Sequence, residues 1–462
     1  MRIGFELHHD EFEYDIRGLL MAFFPGAEIV YRPEDKTGFD HYFTFPRSEC
    51  ARKLDRKNEI KERSYHMLAA LTGKDLPWGA LTGIRPVKLA SAMLHEGMDR
   101  EEITARMMKE HMVSREKASL AADIAVYEDR ILKDIDYDGG YSLYVGIPFC
   151  PTTCLYCSFT SYPIGKWAAR ADEYLDKLES EMETVSRLMA GKKLQTIYIG
   201  GGTPTSLSPQ QLDRLLSDLR KHFDISGLLE WTAEGGRPDS ITPEKLQVLK
   251  DHPVTRISIN PQTMQDETLR RIGRRHTVAD LLSAYKLARS MGFSNINMDT
   301  ILGLPGETVE DVRDTFEKIK ALSPDSLTVH SLAVKRASRL KMEAEGTVVA
   351  GGTQEESEEM MRIAAAAASE LGMSPYYLYR QKNMAGNLEN VGYCRPGAEG
   401  IYNILIMEEV QTICAIGAGT VSKGVFPDGR IERCENVKDI AQYLERIDEM
   451  NERKIRLFGC GD

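Results

Sequence analysis

Between residues 141 and 333 the apolar positions switch repeatedly between two patterns. Short apolar runs at 141–147, 194–199, 228–233, 254–260, 294–301 and 326–331 suit buried strands. The stretches between them repeat every three or four residues, as at Tyr174, Leu178, Met182 and Val185, and at Leu212, Leu215, Leu216 and Leu219, and so predict helices. Two of these helices announce their starts: Ser208-Pro209 leads to Gln211 in a capping-box arrangement, and Thr242-Pro243 supplies an N-cap and a first-turn proline. Strands alternating with helices of this length imply an α/β fold with a parallel sheet whose outer face carries the helices. Six repeats predict a partial (β/α)6 barrel over 141–340 rather than a closed eightfold one.

The flanking regions read differently. Residues 1–134 begin like a strand and continue with helical faces marked by Ile60, Met67, Leu68 and Leu71, then by Leu120, Ile124, Tyr127 and Ile131, an N-terminal α/β extension. The stretch 76–86 between those helices is too rich in glycine and proline for either regular element and reads as an ordered connector. An acidic, glycine-ended linker follows at 134–140, and a hinge at 345–352 leads to a small α+β region over 353–462. There the pattern predicts a helix at 355–371, strands at 376–380 and 401–407, and a closing helix at 440–450.

Composition narrows the function. A formal net charge of −11 over 462 residues disfavours a general nucleic-acid or anionic-membrane binder, and no apolar run reaches membrane-spanning length. Eight cysteines in so long a chain do not make a disulfide scaffold, and no signal peptide is legible, so the expected compartment is the reducing cytoplasm. Three of those cysteines, Cys150, Cys154 and Cys157, crowd one loop after the first barrel strand, and their thiolates should meet in one small volume. Structural zinc needs a fourth ligand that the neighbourhood lacks, whereas three thiolates fill one position on each of three irons of a cubane and leave the fourth iron open.

In parallel sheets functional groups gather at the carboxyl ends of strands. The cysteine loop, Gly200-Gly201-Gly202-Thr203-Pro204, Glu234, Gln262, Asn297-Met298-Asp299 and Ala333 all fall there. The glycine turn offers a place where a small ligand lies against the backbone and meets free N–H groups. Together with Tyr144, Arg274 and the Gly303-Leu304-Pro305 turn, these motifs resemble the radical S-adenosylmethionine (SAM) superfamily. Within it they are most similar to the oxygen-independent coproporphyrinogen III oxidases of the HemZ-type coproporphyrinogen dehydrogenases. The resemblance covers roughly residues 141–425. It implies that Cys150, Cys154 and Cys157 hold a [4Fe-4S] cluster, and that Tyr144, Tyr156, Gly201 and Glu234 contact a SAM bound to the open iron. A second SAM would meet Gly202, Thr203, Gln262, Arg274, Asp299 and Ala333.

The activity implied is oxidative decarboxylation of coproporphyrinogen III to protoporphyrinogen IX, with a tetrapyrrole substrate and a low-potential electron donor as partners. The resemblance names no catalytic side chain. Lys335, Arg336, Arg339, Arg380 and Lys382 are candidate anchors for the substrate's carboxylates. The chain departs from the better-known oxidases at two positions, with Gly146 where they carry histidine and Phe159 where they carry a further cysteine. An aromatic residue at the latter is shared with related haem chaperones, so haem binding stands as the alternative function, beside another radical reaction on a tetrapyrrole.

Overall fold

The computed structural model describes residues 1–83, 85–332, 353–380 and 388–459, which form two compact units. The first takes in residues 1–129 together with 353–358 and 378–390. Its small sheet places β1 (Arg2–Glu6) between β2 (Glu28–Tyr31) and β3 (His41–Thr44), both parallel to it. Ile3 and Phe5 of β1, Leu19, Leu20 and Phe23 of the helix Glu13–Phe23, and Ile60, Tyr65 and Leu68 of the helix Lys53–Thr72 share one core. Leu71, expected on that apolar face, is exposed. It sits in the last turn of its helix, where Gly73 adopts a left-handed φ of 66° and turns the chain away.

The proline- and glycine-rich connector is well packed. Trp78 is fully buried and donates from its indole to Glu389 Oε2 at 2.7 Å, while Lys117 Nζ reaches Oε1 of the same carboxylate at 2.8 Å.

The second unit, built from 130–352, 359–377 and 391–462, contains an eleven-stranded sheet. It begins with β4 (Gly140–Ile147), whose end carries the short β5 (Phe149–Cys150) and β6 (Tyr162–Pro163). Then come β7 (Lys193–Gly201), β8 (Glu230–Glu234), β9 (Arg256–Ser258), β10 (Ile296–Leu302) and β11 (Ser326–Ser331). The later strands are β12 (Ser374–Tyr379), β13 (Asn390–Cys394), β14 (Ile413–Ile416), β15 (Val421–Val425) and β16 (Ile431–Glu435). The spatial order is β12-β13-β11-β10-β9-β8-β7-β4-β14-β15-β16. All six predicted barrel strands are consecutive neighbours and parallel, and the first five are followed by helix, as the partial (β/α)6 barrel requires. The closing part of the chain widens the same sheet, with β14 parallel to β4 and β15 and β16 antiparallel beyond it.

Two predicted elements differ. The run 401–407, read as a strand, is the helix Ile401–Glu408, and the single closing helix is two, Ile440–Glu445 and Ile447–Phe458. No described helix is long and apolar enough to cross a membrane.

Candidate active site

The chain leaves β4 through a loop held both by hydrogen bonds and by apolar packing, with Leu155 and Tyr156 set against a small core of Leu269, Ile272, Ile301, Leu304 and Leu332. Phe149 and Cys150 pair with Tyr162 and Pro163, closing the loop at its base. Leu155 N donates to Ile272 O at 3.0 Å and Thr152 Oγ1 to Gly273 O at 3.1 Å, tying the middle of the loop to the turn before Arg274. Each cysteine sulfur has a polar neighbour: Thr203 Oγ1 lies 3.4 Å from Cys150, Arg237 Nη1 donates to Cys154 at 3.7 Å, and Ser161 Oγ donates to Cys157 at 3.8 Å. All three cysteines are free of disulfides.

Among the described residues no group of three or more His, Cys, Asp or Glu side chains forms a site for a single metal ion. A cubane takes each sulfur on a different iron, so three cysteines of one loop suffice for it. Burial pushes the Cys150 thiol up to about 12, so a thiolate at this depth calls for a cationic partner such as iron. The donor set therefore fits a cluster held by three sulfurs.

The glycine turn does a different job from the one its sequence suggests. Gly202 N donates to Ile147 O at 2.8 Å and Thr203 N to Phe149 O at 2.6 Å, so these N–H groups are not free for a ligand. They clamp the start of the cysteine loop onto the end of β7. A Cβ at Gly202 would lie 2.6 Å from Phe149 O, and Gly201 holds a φ of 100°. Glycine is required at Gly202 because the two backbones touch there, and at Gly201 because of its left-handed φ.

Beside this clamp stands a wall of three stacked tyrosines. Tyr144 of β4 and Tyr198 of β7 have ring centroids 6.0 Å apart, and Tyr402, on the helix misread as a strand, stacks on Tyr198 at 4.7 Å. Tyr198 donates to Glu234 Oε1 at 2.5 Å. Burial pushes the Glu234 carboxyl up to about 7; the Tyr198 hydrogen bond only partly offsets it.

Further round the same rim, Gln262 has a left-handed φ of 65°, a conformation that a residue with a side chain adopts only when its surroundings impose it. Its N–H donates to Asp299 O, its carbonyl accepts from Ile301 N, and its buried Oε1 makes no hydrogen bond. Asp299 accepts from Asn260 Nδ2 at 2.8 Å and Asn297 Nδ2 at 2.7 Å. Arg274, in a run whose Arg270, Arg271 and Arg275 are exposed, is itself buried. It donates to Asn260 O at 2.7 Å and to the Tyr156 hydroxyl at 3.3 Å, while its Nε is also without a hydrogen bond. Buried polar atoms left open on one rim are what a polar ligand would engage.

Ala333, Lys335, Arg336, Arg339 and Lys382 lie outside the described residues. Arg380, expected to offer a cation to a substrate carboxylate, is buried in the first unit. It donates to Leu81 O at 2.7 Å and lies over the Trp78 ring. Sequence reasoning missed Arg237 and Tyr402. The first was legible in Gly235-Gly236-Arg237-Pro238 directly after a barrel strand, whereas nothing local marks the second.

Comparison with known proteins identifies the family. Residues 144–319 match the radical SAM superfamily. Over 405 residues, 87% of this chain and 80% of the relative, the sequence is 45% identical to the oxygen-independent coproporphyrinogen-III oxidase-like protein HemZ of Bacillus subtilis. The chain belongs to this family of radical SAM proteins. Membership in the radical SAM superfamily implies a [4Fe-4S] cluster and SAM. The heme chaperone HemW of Bacillus subtilis is 31% identical over 67% of this chain and 76% of its own length. Among solved structures, coproporphyrinogen III oxidase (HemN) of Escherichia coli, a radical SAM enzyme, superposes with a TM-score of 0.56 over 70% of this chain and 73% of its own, at 24% identity. That likeness supports the fold.

Proposed function

We propose that this HemZ-like protein carries out the oxygen-independent oxidative decarboxylation of coproporphyrinogen III to protoporphyrinogen IX. The observation that carries the reading is the extended likeness to HemZ, combined with the gathering on one rim of a three-sulfur loop, a half-buried carboxylate and unengaged polar atoms. Cys150, Cys154 and Cys157 would hold the cluster, which with SAM supplies a hydrogen-abstracting radical. Tyr144, Tyr156, Gly201 and Glu234 would line the first SAM; Gly202, Thr203, Gln262, Arg274 and Asp299 would line a second, with Ala333.

This chain's residues prepare the site for a cation. Glu234 is half-buried and backed by Tyr198, itself stacked on Tyr402, and a positively charged ligand would draw off its proton. Gln262 presents an acceptor and Arg274 an open donor to a polar ligand on the far side of the rim. The Gly202 clamp fixes the loop that carries the sulfurs.

A second reading, stoichiometric haem binding, is favoured by Phe159, exposed at a pocket it shares with Tyr144, Gly146, Gly201 and Thr420. Both departures from the better-known oxidases line that pocket. Anaerobic incubation with reduced electron donor, SAM and coproporphyrinogen III decides between them. Release of CO2 with 5′-deoxyadenosine and formation of protoporphyrinogen IX is the expected result; tight haem retention with no turnover would establish the other reading.

A further inference from the structure

Arg237 has a set of contacts that the functional assignments above leave unused. It is 2% exposed and directs every donor inward. Nε and Nη2 form a two-point pair with Asp239 at 2.9 and 2.7 Å. Nη1 donates to Thr152 Oγ1 at 2.9 Å, to Thr152 O at 3.1 Å and to Cys154 Sγ at 3.7 Å. One edge of the guanidinium is thus clamped by a carboxylate while the other grips the cysteine loop midway between Cys150 and Cys154. Arg274 also lies against the Cys154 sulfur, but its other contacts are to Asn260 O and the Tyr156 hydroxyl, so Arg237 is the arginine that joins that sulfur to the Thr152 backbone.

The chemistry suits arginine alone. Its planar fork satisfies Asp239 with two parallel bonds and still has donors left for the loop, which a lysine ammonium on a flexible stem does not reproduce. Asp239 in turn faces His276, whose Nδ1 lies 3.8 Å away and whose proton affinity burial pushes down to about 4, leaving the imidazole neutral near pH 7. The carboxylate is therefore committed to Arg237.

Resting on the reading of Cys150, Cys154 and Cys157 as cluster ligands, we infer that Arg237 is a positioning residue for the cluster: clamped by Asp239, it fixes the loop at Thr152 and sets a permanent positive charge against the Cys154 sulfur. Hydrogen bonds and charge at the sulfurs tune the potential of an iron–sulfur centre, and partners of metal ligands govern how tightly the metal is held. A cation at the sulfur favours the more negative, reduced state. Arg237 would thus make the cluster easier to reduce as well as harder to lose.

The test uses the full-length chain, reconstituted without oxygen, as wild type, Arg237→Gln, Arg237→Lys and Asp239→Asn. Iron retention against a chelator and the midpoint potential from a redox titration followed by EPR are the readouts. Arg237→Gln is expected to release iron about 10- to 100-fold more readily and to lower the midpoint potential. Arg237→Lys, which keeps the charge but not the fork, should lose iron while its potential moves less. Asp239→Asn, which removes the compensating negative charge, should move the potential upward, and it decides the matter if Arg237→Gln does not fold. A midpoint potential unchanged from wild type in Arg237→Gln, or in Asp239→Asn where that variant decides, would overturn the inference, because a merely structural role would alter iron content and leave the potential alone. A wild type that takes up no cluster would instead sink the functional reading.

Discussion

Glu234 shows how a single half-buried group becomes a prediction. Its carboxyl is pushed up to about 7 by burial, against the pull of Tyr198, so below that pH it carries a proton and has no charge to offer. If Glu234 faces the cationic SAM, affinity depends on the ionised form: it should be level above about pH 8 and fall by about tenfold per unit well below pH 7. Equilibrium dialysis on the cluster-loaded protein at pH 5.5 to 8.5 checks this. Glu234→Gln should bind weakly at every pH and lose the slope. A Gln variant that keeps the slope would move the titrating group elsewhere. At this scale the cysteines and Glu234 were legible in the sequence, because a spacing or a charge amid apolar strand residues is local information. The engagement of the Gly202 and Thr203 N–H groups was not, since their partners, Ile147 O and Phe149 O, belong to a strand and loop fifty residues earlier.

Elements were legible where period and caps agreed, as in the helix Pro209–His222 with its Ser208 and Gln211 capping box. They failed where burial surrounds the element: Ile401–Glu408 is apolar on most sides, and a short run of Ile, Leu and Tyr carries no period that separates helix from strand. The closing helix Ile447–Phe458 ran beyond its predicted end for a reason that also yields a prediction. Its Lys454, almost wholly buried, pairs with the equally buried Glu181 of the helix Ala171–Leu188. Glu181 also accepts from Gly417 N at 2.7 Å, from the Tyr443 hydroxyl at 2.6 Å and from Asn436 Nδ2 at 2.8 Å. Lys454→Met fills the space but strips this carboxylate of its countercharge, which in a buried pair costs about 3–5 kcal/mol. Urea denaturation should show the loss, and the double variant Lys454→Met with Glu181→Gln should recover much of it. A single variant as stable as wild type would show that water reaches the pair.

At the scale of the whole molecule, the run of parallel strands was legible because each strand announces itself, whereas the pairing of distant segments was not. The first compact unit draws on residues 378–390, whose Glu389 accepts both the Trp78 indole and the Lys117 ammonium. Nothing at positions 78, 117 or 389 advertises that contact. Its consequence is testable with the segment 1–134 expressed alone. Without Glu389, Lys117 retains only the largely exposed Glu116 as a countercharge. A loss of about 3–5 kcal/mol from an uncompensated buried charge consumes a large share of the 5–15 kcal/mol that holds a typical domain folded. The segment is expected to keep helical circular dichroism yet melt over a broad range, without a sharp transition. Lys117→Met in the same segment should sharpen the melt by removing the stranded charge. A cooperative transition of the unmodified segment, unaffected by that substitution, would mean that Lys117 finds another partner and that Glu389 is not what completes this core.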